Sequence, residues 1–298
     1  MNIDKQNNNS TLLILVITVI FIFIILPYFD KKTHENMSNN DEIMVGETIQ
    51  QNEIMVNKTI QQDKIMNYFP NAITNTKLIE YINEKKLNKD KTHFNLSICC
   101  DEINHEKSDL PDLCRELLGE VFQMGGLGGI PFAGITGLGA TLNHVPTDGT
   151  LFILYGPHVG ISLDGIIGNY NRYGILEQGH ACGAAIGAYN TLNKLPSEQT
   201  LVNNEFDYQF NYIVQELSIH MNTINLITDE NQKNIQIAES MYTIISKWIN
   251  IFKEEFRKQN KVKKLILLGG IIINISKDKD NNLEDYFLIK NDEVVEIQ

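Results

Sequence analysis

Two spacings of apolar residues run through the last two thirds of the chain. Between Asn71 and Leu87, residues Ile79, Tyr81, Ile82 and Leu87 fall where one helix face would gather them. Asp109 to Gln123 predicts a second helix, with Pro111 in its first turn and Leu113, Leu117, Leu118, Val121 and Phe122 turned inward. His180 to Asn193 reads as a helix of small residues, and Glu205 to Ile227 and Asn234 to Lys258 as long amphipathic helices. Short apolar runs separate them: Phe94 to Cys100, Leu151 to Tyr155 (closed by Gly156 and Pro157) and Leu265 to Ile275. The last is too apolar for an edge and is expected at the centre of a sheet, with Tyr286 to Ile289 as a final strand. Helices alternating with such strands predict the α/β class over residues 71–298, with helices on the faces of the sheet.

The first 70 residues follow another pattern. Thr11 to Phe29 carries no charge, and at about 1.5 Å per residue it would span about 28 Å, close to a bilayer's hydrocarbon core. No small-residue cleavage site follows it, so residues 1–30 are expected to form an uncleaved single-pass membrane anchor. Residues 31–70 are expected to form a linker or stalk. Within it DEIMVGETIQQ (41–51) is followed by NEIMVNKTIQQ (52–62), and DKIM (63–66) begins a third copy. An eleven-residue period suits a nearly straight helix with one apolar seam, and equally a recently duplicated linker without stable structure.

Composition narrows the function. The chain has 298 residues, 43% of them hydrophobic, which is enough for a core and excludes wholesale disorder. Its 25 Lys+Arg against 37 Asp+Glu leave a net charge of -12, which argues against a nucleic-acid partner held through phosphates. Four Cys are too few for a disulfide-stapled miniprotein. Of 20 Gly, 17 lie between Gly119 and Gly187, a stretch whose only charges are Glu120, Asp148, Asp164, Arg172 and Glu177. Dense glycine with little charge predicts tight turns around a closely packed, partly dry site.

Candidate ligands converge on that region. Cys99 and Cys100 end one apolar strand, His158 follows another, and Cys182 opens a helix. Sites in open α/β sheets collect at the carboxyl ends of strands. Two thiolates and an imidazole suit Zn2+, and three protein ligands leave a fourth position for water, the arrangement of a catalytic site. His105, His144 and His180 are rival ligands. A thiol nucleophile, Cys182 or Cys100 with His158, is a competing chemistry. GGLGGIPFAGITGLGA (125–140) lacks the Lys-Ser/Thr ending of a phosphate-binding loop.

Six ordered motifs then occur together: CCDEIN (99–104), the 125–140 run, HVPTDG (144–149), YGPHVGISLDG (155–165), ACGAAIGAYN (181–190) and LGGIIINI (268–275). Over about residues 75–298 the chain resembles the limiting-CO2-inducible protein B/C family, the theta-class carbonic anhydrases. The resemblance implies a beta-carbonic-anhydrase-like α/β domain, with a central, mostly parallel sheet flanked by helices, and a homodimer. The long C-terminal helices are expected as its contact surfaces. It implies zinc held by Cys99, His158 and Cys182. Cys99 is favoured over Cys100 because the family has a Cys two residues before an Asp, and Cys100 is expected in the core on the opposite side. The implied reaction is reversible hydration of CO2 to bicarbonate through zinc-bound hydroxide. Asp101 would accept that hydroxide's hydrogen bond, and an Arg, for which Arg172 is the candidate, would hold Asp101. His180 is a candidate proton shuttle, Asp164 and His144 are expected to organise loops, and Tyr155, Phe132 and Leu138 to line a CO2 pocket. The alternative is a weak or inactive zinc-containing scaffold of a CO2-handling assembly.

Overall fold

The computed structural model describes residues 55–56, 58–105, 109–194, 205–259, 261–277 and 283–297. The chain divides into a unit Met1–Val56 and a unit Asn57–Gln298. Only residues 55 and 56 of the first are described, and the fold below is that of the second.

Strand β1 (Ile73–Thr74) leads into helix α1 (Asn75–Glu84), where the Thr74 hydroxyl accepts from the Lys77 amide. Next come β2 (Thr92–Ser97), α2 (Leu110–Leu118) and β3 (Val121–Gln123). Helix α3 (Gly134–Leu142) precedes β4 (Thr150–Tyr155) and β5 (His158–Ile161). A small ribbon of β6 (Asn169–Tyr170) and β7 (Gly179–His180) leads to α4 (Gly183–Lys194). Helices α5 (Tyr208–Ser218), α6 (Met221–Asn225) and α7 (Glu230–Lys258) follow, then β8 (Lys264–Ile275) and β9 (Tyr286–Glu296).

The main sheet has the order β1-β9-β8-β4-β2-β3. Strands β3, β2, β4 and β8 are mutually parallel, while at one side β9 runs antiparallel to β8 and β1 pairs antiparallel with β9. The domain is therefore a mixed α/β fold with a mostly parallel central sheet. Strand β8 is long enough to pair twice on one side. Residues Lys264–Gly269 pair with β4, and Ile272–Ile275 pair with β5. Alternation splits the side chains between two faces. Phe94, Leu96, Phe152, Leu154, Ile266 and Leu268 pack on α1 and α2. Leu151, Ile153, Leu265 and Leu267 pack beneath α4, α5 and α7. The 29-residue α7 is capped by Asp229, which accepts from Gln232 N–H, and carries Arg257 and Lys258 in its last turn.

Several expectations need correction. The helix expected to reach Gln123 stops at Leu118, because Gly119 takes a φ of +85°. Val121 and Phe122 instead pair with β2 as an edge strand. The helix expected over 205–227 is broken after Ser218 and again after Asn225. The glycine run contains a real helix, α3, whose Leu138 and Thr141 are buried.

The membrane location is also corrected. Among the described residues no helix is long and apolar enough to cross a membrane. The physical reason is clearest in α7, whose length would suffice but whose outer face carries Lys233, Glu239, Lys247, Glu254 and Lys258. The single-pass anchor is not retained. Residues 11–29, on which it was read, lie outside the described residues, as do 41–54 of the repeat. The later repeat residues are helical over 58–68. There Ile65 is buried against β8, and the buried Gln61 amide donates to the carbonyls of Ser162 and Ser276 at 3.3 and 3.2 Å.

Candidate metal centre

Cys99 stands two residues beyond β2, His158 opens β5, and Cys182 immediately precedes α4. Strands β2 and β4 are parallel neighbours, so Cys99 and His158 arrive beyond the same, carboxyl, end of the sheet. The step from β4 to β5 requires glycine at 156, since a Cβ there would lie 1.8 Å from the Gly270 carbonyl oxygen. The ligand atoms of Cys99, His158 and Cys182 all lie within 4.8 Å of one another, and all three residues are buried.

The donor set fits zinc. The Cys99 and Cys182 sulfurs are 3.8 Å apart. Two Zn–S bonds of about 2.3 Å at a tetrahedral angle would set them about 3.8 Å apart. His158 Nε2 is buried and has no protein hydrogen-bond partner, whereas Nδ1 lies 2.9 Å from Asn274 Oδ1. A buried nitrogen left bare costs about 1–3 kcal/mol unless something takes its lone pair. Burial works against a charged His158, but the adjoining Cys99 thiol and Asp101 carboxylate outweigh it and leave the imidazole pKa raised. Contact with Cys99 lowers the Cys182 pKa against burial, helped by the Ala185 and Ala184 amides at the start of α4. Gly128, at φ +66°, turns its N–H to the Cys99 sulfur at 3.3 Å.

Beside these three residues sits an acidic residue under restraint. Asp101 Oδ2 is 3.8 Å from His158 Nε2. Arg172 Nη2 donates to both Asp101 oxygens, at 3.0 and 3.2 Å, and Arg172 Nε donates to Glu102 at 2.5 Å. Burial raises the Asp101 pKa, with His158 and Arg172 pulling the other way. The Arg172 bond holds the Glu102 carboxyl down at about 2.

A family model described as limiting CO2-inducible proteins B/C, beta carbonic anhydrases, matches residues 68–296. The chain belongs to this family. Among solved structures it is similar to PtLCIB4, a homolog of the limiting CO2-inducible protein LCIB, at 27% identity and a TM-score of 0.69. That match covers 79% of this chain and 95% of the other. A variant of PtLCIB4 matches at 26% identity and a TM-score of 0.70, over 80% and 95%. LCIB itself shares the fold at 17% identity and a TM-score of 0.56, over 77% of this chain and 92% of that one. No curated protein matches the chain.

Within this LCIB-type domain the other sequence candidates scatter. Cys100 is exposed rather than in the core, because the chain has left β2 by that point and strand alternation no longer applies. Contact with Cys99, and then burial, push its thiol pKa well up. His144 meets His93 edge to face at the far, amino end of β2, with ring centroids 5.5 Å apart. His180 is exposed, with Nδ1 3.1 Å from Asn169 Oδ1, while His105 Nε2 contacts the Cys99 carbonyl at 3.1 Å. Asp164 accepts from Ser162 and Gln178. Tyr155 turns away to stack on Tyr242 of α7 and accept a hydrogen bond from Asn291, and Phe132 packs on Tyr208 and Tyr212. Glu102, Asn274 and Asp285 escaped the sequence reading. The available signal was Asn274 itself, a lone amide in LILLGGIIINI that a buried strand must satisfy.

Proposed function

We propose that Cys99, His158 and Cys182 hold a zinc ion and that the protein catalyses the reversible hydration of CO2 to bicarbonate. The observation that carries this reading is the buried Cys–His–Cys cluster with a bare imidazole nitrogen, set beside a carboxylate gripped by arginine. Zinc there supplies Lewis acidity that makes hydroxide available from water near neutral pH. The rest falls to the chain's own residues. Asp101 accepts the hydrogen bond of the attacking oxygen and so points a lone pair at the CO2 carbon. Arg172 grips both Asp101 oxygens and keeps that carboxylate in the acceptor role instead of letting it close on the His158 nitrogen. Cys182, with its lowered pKa, is suited to ligate as thiolate. Bicarbonate and the proton would leave to solvent.

Against the scaffold alternative, the forked Arg172–Asp101 contact favours the enzyme. The test is zinc content of the purified full chain, measured beside stopped-flow CO2 hydration. Zinc near one per chain with a rate well above buffer is expected. A zinc-filled protein without such a rate would establish the scaffold, and a protein that takes up no zinc would remove the site. The homodimer rests on the family resemblance, and a monomer by light scattering would overturn it.

A further inference from the structure

The geometry points to Asn274 and Asp285 as positioning residues that fix which nitrogen of His158 faces the metal. This rests on the metal reading, and the test below keeps the two apart. Asn274 sits near the end of β8, two residues past Ile272, the partner of His158 in the β5–β8 ladder. Its side chain is fully buried, and so nearly is that of Asp285. Asn274 Nδ2 lies 3.3 Å from the Ile103 carbonyl and 3.2 Å from Asp285 Oδ2. Asp285 is itself held, since its Oδ1 accepts from the Ile275 amide at 2.7 Å.

Both neighbours of Nδ2 are acceptors, so only the amide's NH2 end can face them. A flip would set the Asn274 oxygen against the Ile103 carbonyl, which has no proton to give whatever the charge on Asp285, and would forfeit that bond in a dry interior. The oxygen is therefore committed to His158 Nδ1 at 2.9 Å, and Nδ1 must carry the proton. Nε2 is then the nitrogen with the free lone pair, and it is the one that faces Cys99, Cys182 and Asp101. The Ile103 bond adds a second role. It ties the same amide to the short helical turn Glu102–Asn104 that follows Asp101, so one side chain spaces the imidazole against the acidic limb.

The experiment uses the full-length protein and three readouts. Long-range 1H–15N spectra of histidine-labelled wild type should show His158 with Nδ1 protonated. Zinc affinity, from competition with a chromophoric chelator, should fall 10- to 100-fold in Asn274→Leu, the usual size of an outer-sphere loss. It should fall measurably in Asp285→Ala, although Asp285 touches no ligand. The double variant should bind zinc no worse than Asn274→Leu alone, because the two act in series. A wild-type spectrum with Nδ1 bare and Nε2 protonated overturns the proposal, as does a folded Asn274→Leu protein that keeps wild-type zinc affinity. A folded double variant whose losses simply add overturns the serial arrangement. If wild type holds no zinc, the metal reading fails, and the tautomer of neutral His158 in the metal-free protein still decides for or against the relay. Should Asn274→Leu not fold, the wild-type spectrum decides in the same way.

Discussion

Arg172→Leu removes the fork that holds Asp101 and leaves Cys99, His158 and Cys182 untouched. The bonds lost run at 3.0 and 3.2 Å to Asp101 and 2.5 Å to Glu102. A hydrogen bond to a charged partner contributes about 1.5–3 kcal/mol. The Arg172 side chain is 22% exposed and Asp101 12%, so water screens part of that and the lower end, about 1.5–2 kcal/mol, applies. If Arg172 acts by keeping Asp101 in place, kcat/KM for CO2 hydration should drop about 10- to 30-fold. Zinc content should not change. The pH profile should move as well. Burial already raises the Asp101 pKa, and Arg172 is one of the groups holding it down. Its removal raises that pKa further and leaves Glu102 as an unneutralised anion alongside, so the acid limb of the rate profile should shift to higher pH. Arg172→Lys keeps the charge without the fork and should fall between the two. Stopped-flow measurement over pH 6–9, with metal analysis on the same samples, reads all of this. A variant with wild-type rate and profile, or one that loses its zinc, would refute the reasoning.

Cys182→Ser should abolish zinc binding and CO2 hydration together, while Cys100→Ser, altering an exposed thiol outside the cluster, should keep both; metal analysis and hydration assays distinguish them. Burial pushes the Asp285 carboxyl up to about 7 from its usual 3.8. The folded protein then binds more protons than the unfolded chain between about pH 4 and 7, so stability should fall as pH rises through that window, by on the order of a few kcal/mol. Urea unfolding at pH 5 and 7.5 should show a smaller difference in Asp285→Asn than in wild type. Gly156→Ala should cost about 3 kcal/mol or more, read as a lower melting temperature, because the new Cβ would meet backbone at 1.8 Å and not a side chain that can turn aside.

The strands were legible because buried parallel strands are continuous apolar runs, and LFILY and LILLGGIIINI admit few other readings. Val121 and Phe122 misled because apolar residues directly after an amphipathic helix look like its continuation, and only the backbone at Gly119 shows the break. Cys99 and Cys182 lie 83 residues apart, with His158 between them, so no local spacing marks the cluster. The ordered motifs of the family marked it instead. Arg172 was reachable as one of few charges in the glycine-rich stretch. Asn274 showed only as a lone amide in an apolar strand and Asp285 not at all, because what joins them to His158 is a chain of hydrogen bonds that only the folded sheet assembles.

Strand β8 runs unbroken past both β4 and β5, so the imidazole and the amide that orients it ride on one continuous ladder. The two sulfurs have no such footing: one hangs from a loop after β2, the other from the turn just before a helix. A strain that loosens the helical layer reaches the Cys182 sulfur first and leaves the histidine aimed. If the proposed ion is bound there, its loss should begin by release of Cys182, and recapture should begin at a nitrogen already waiting in place.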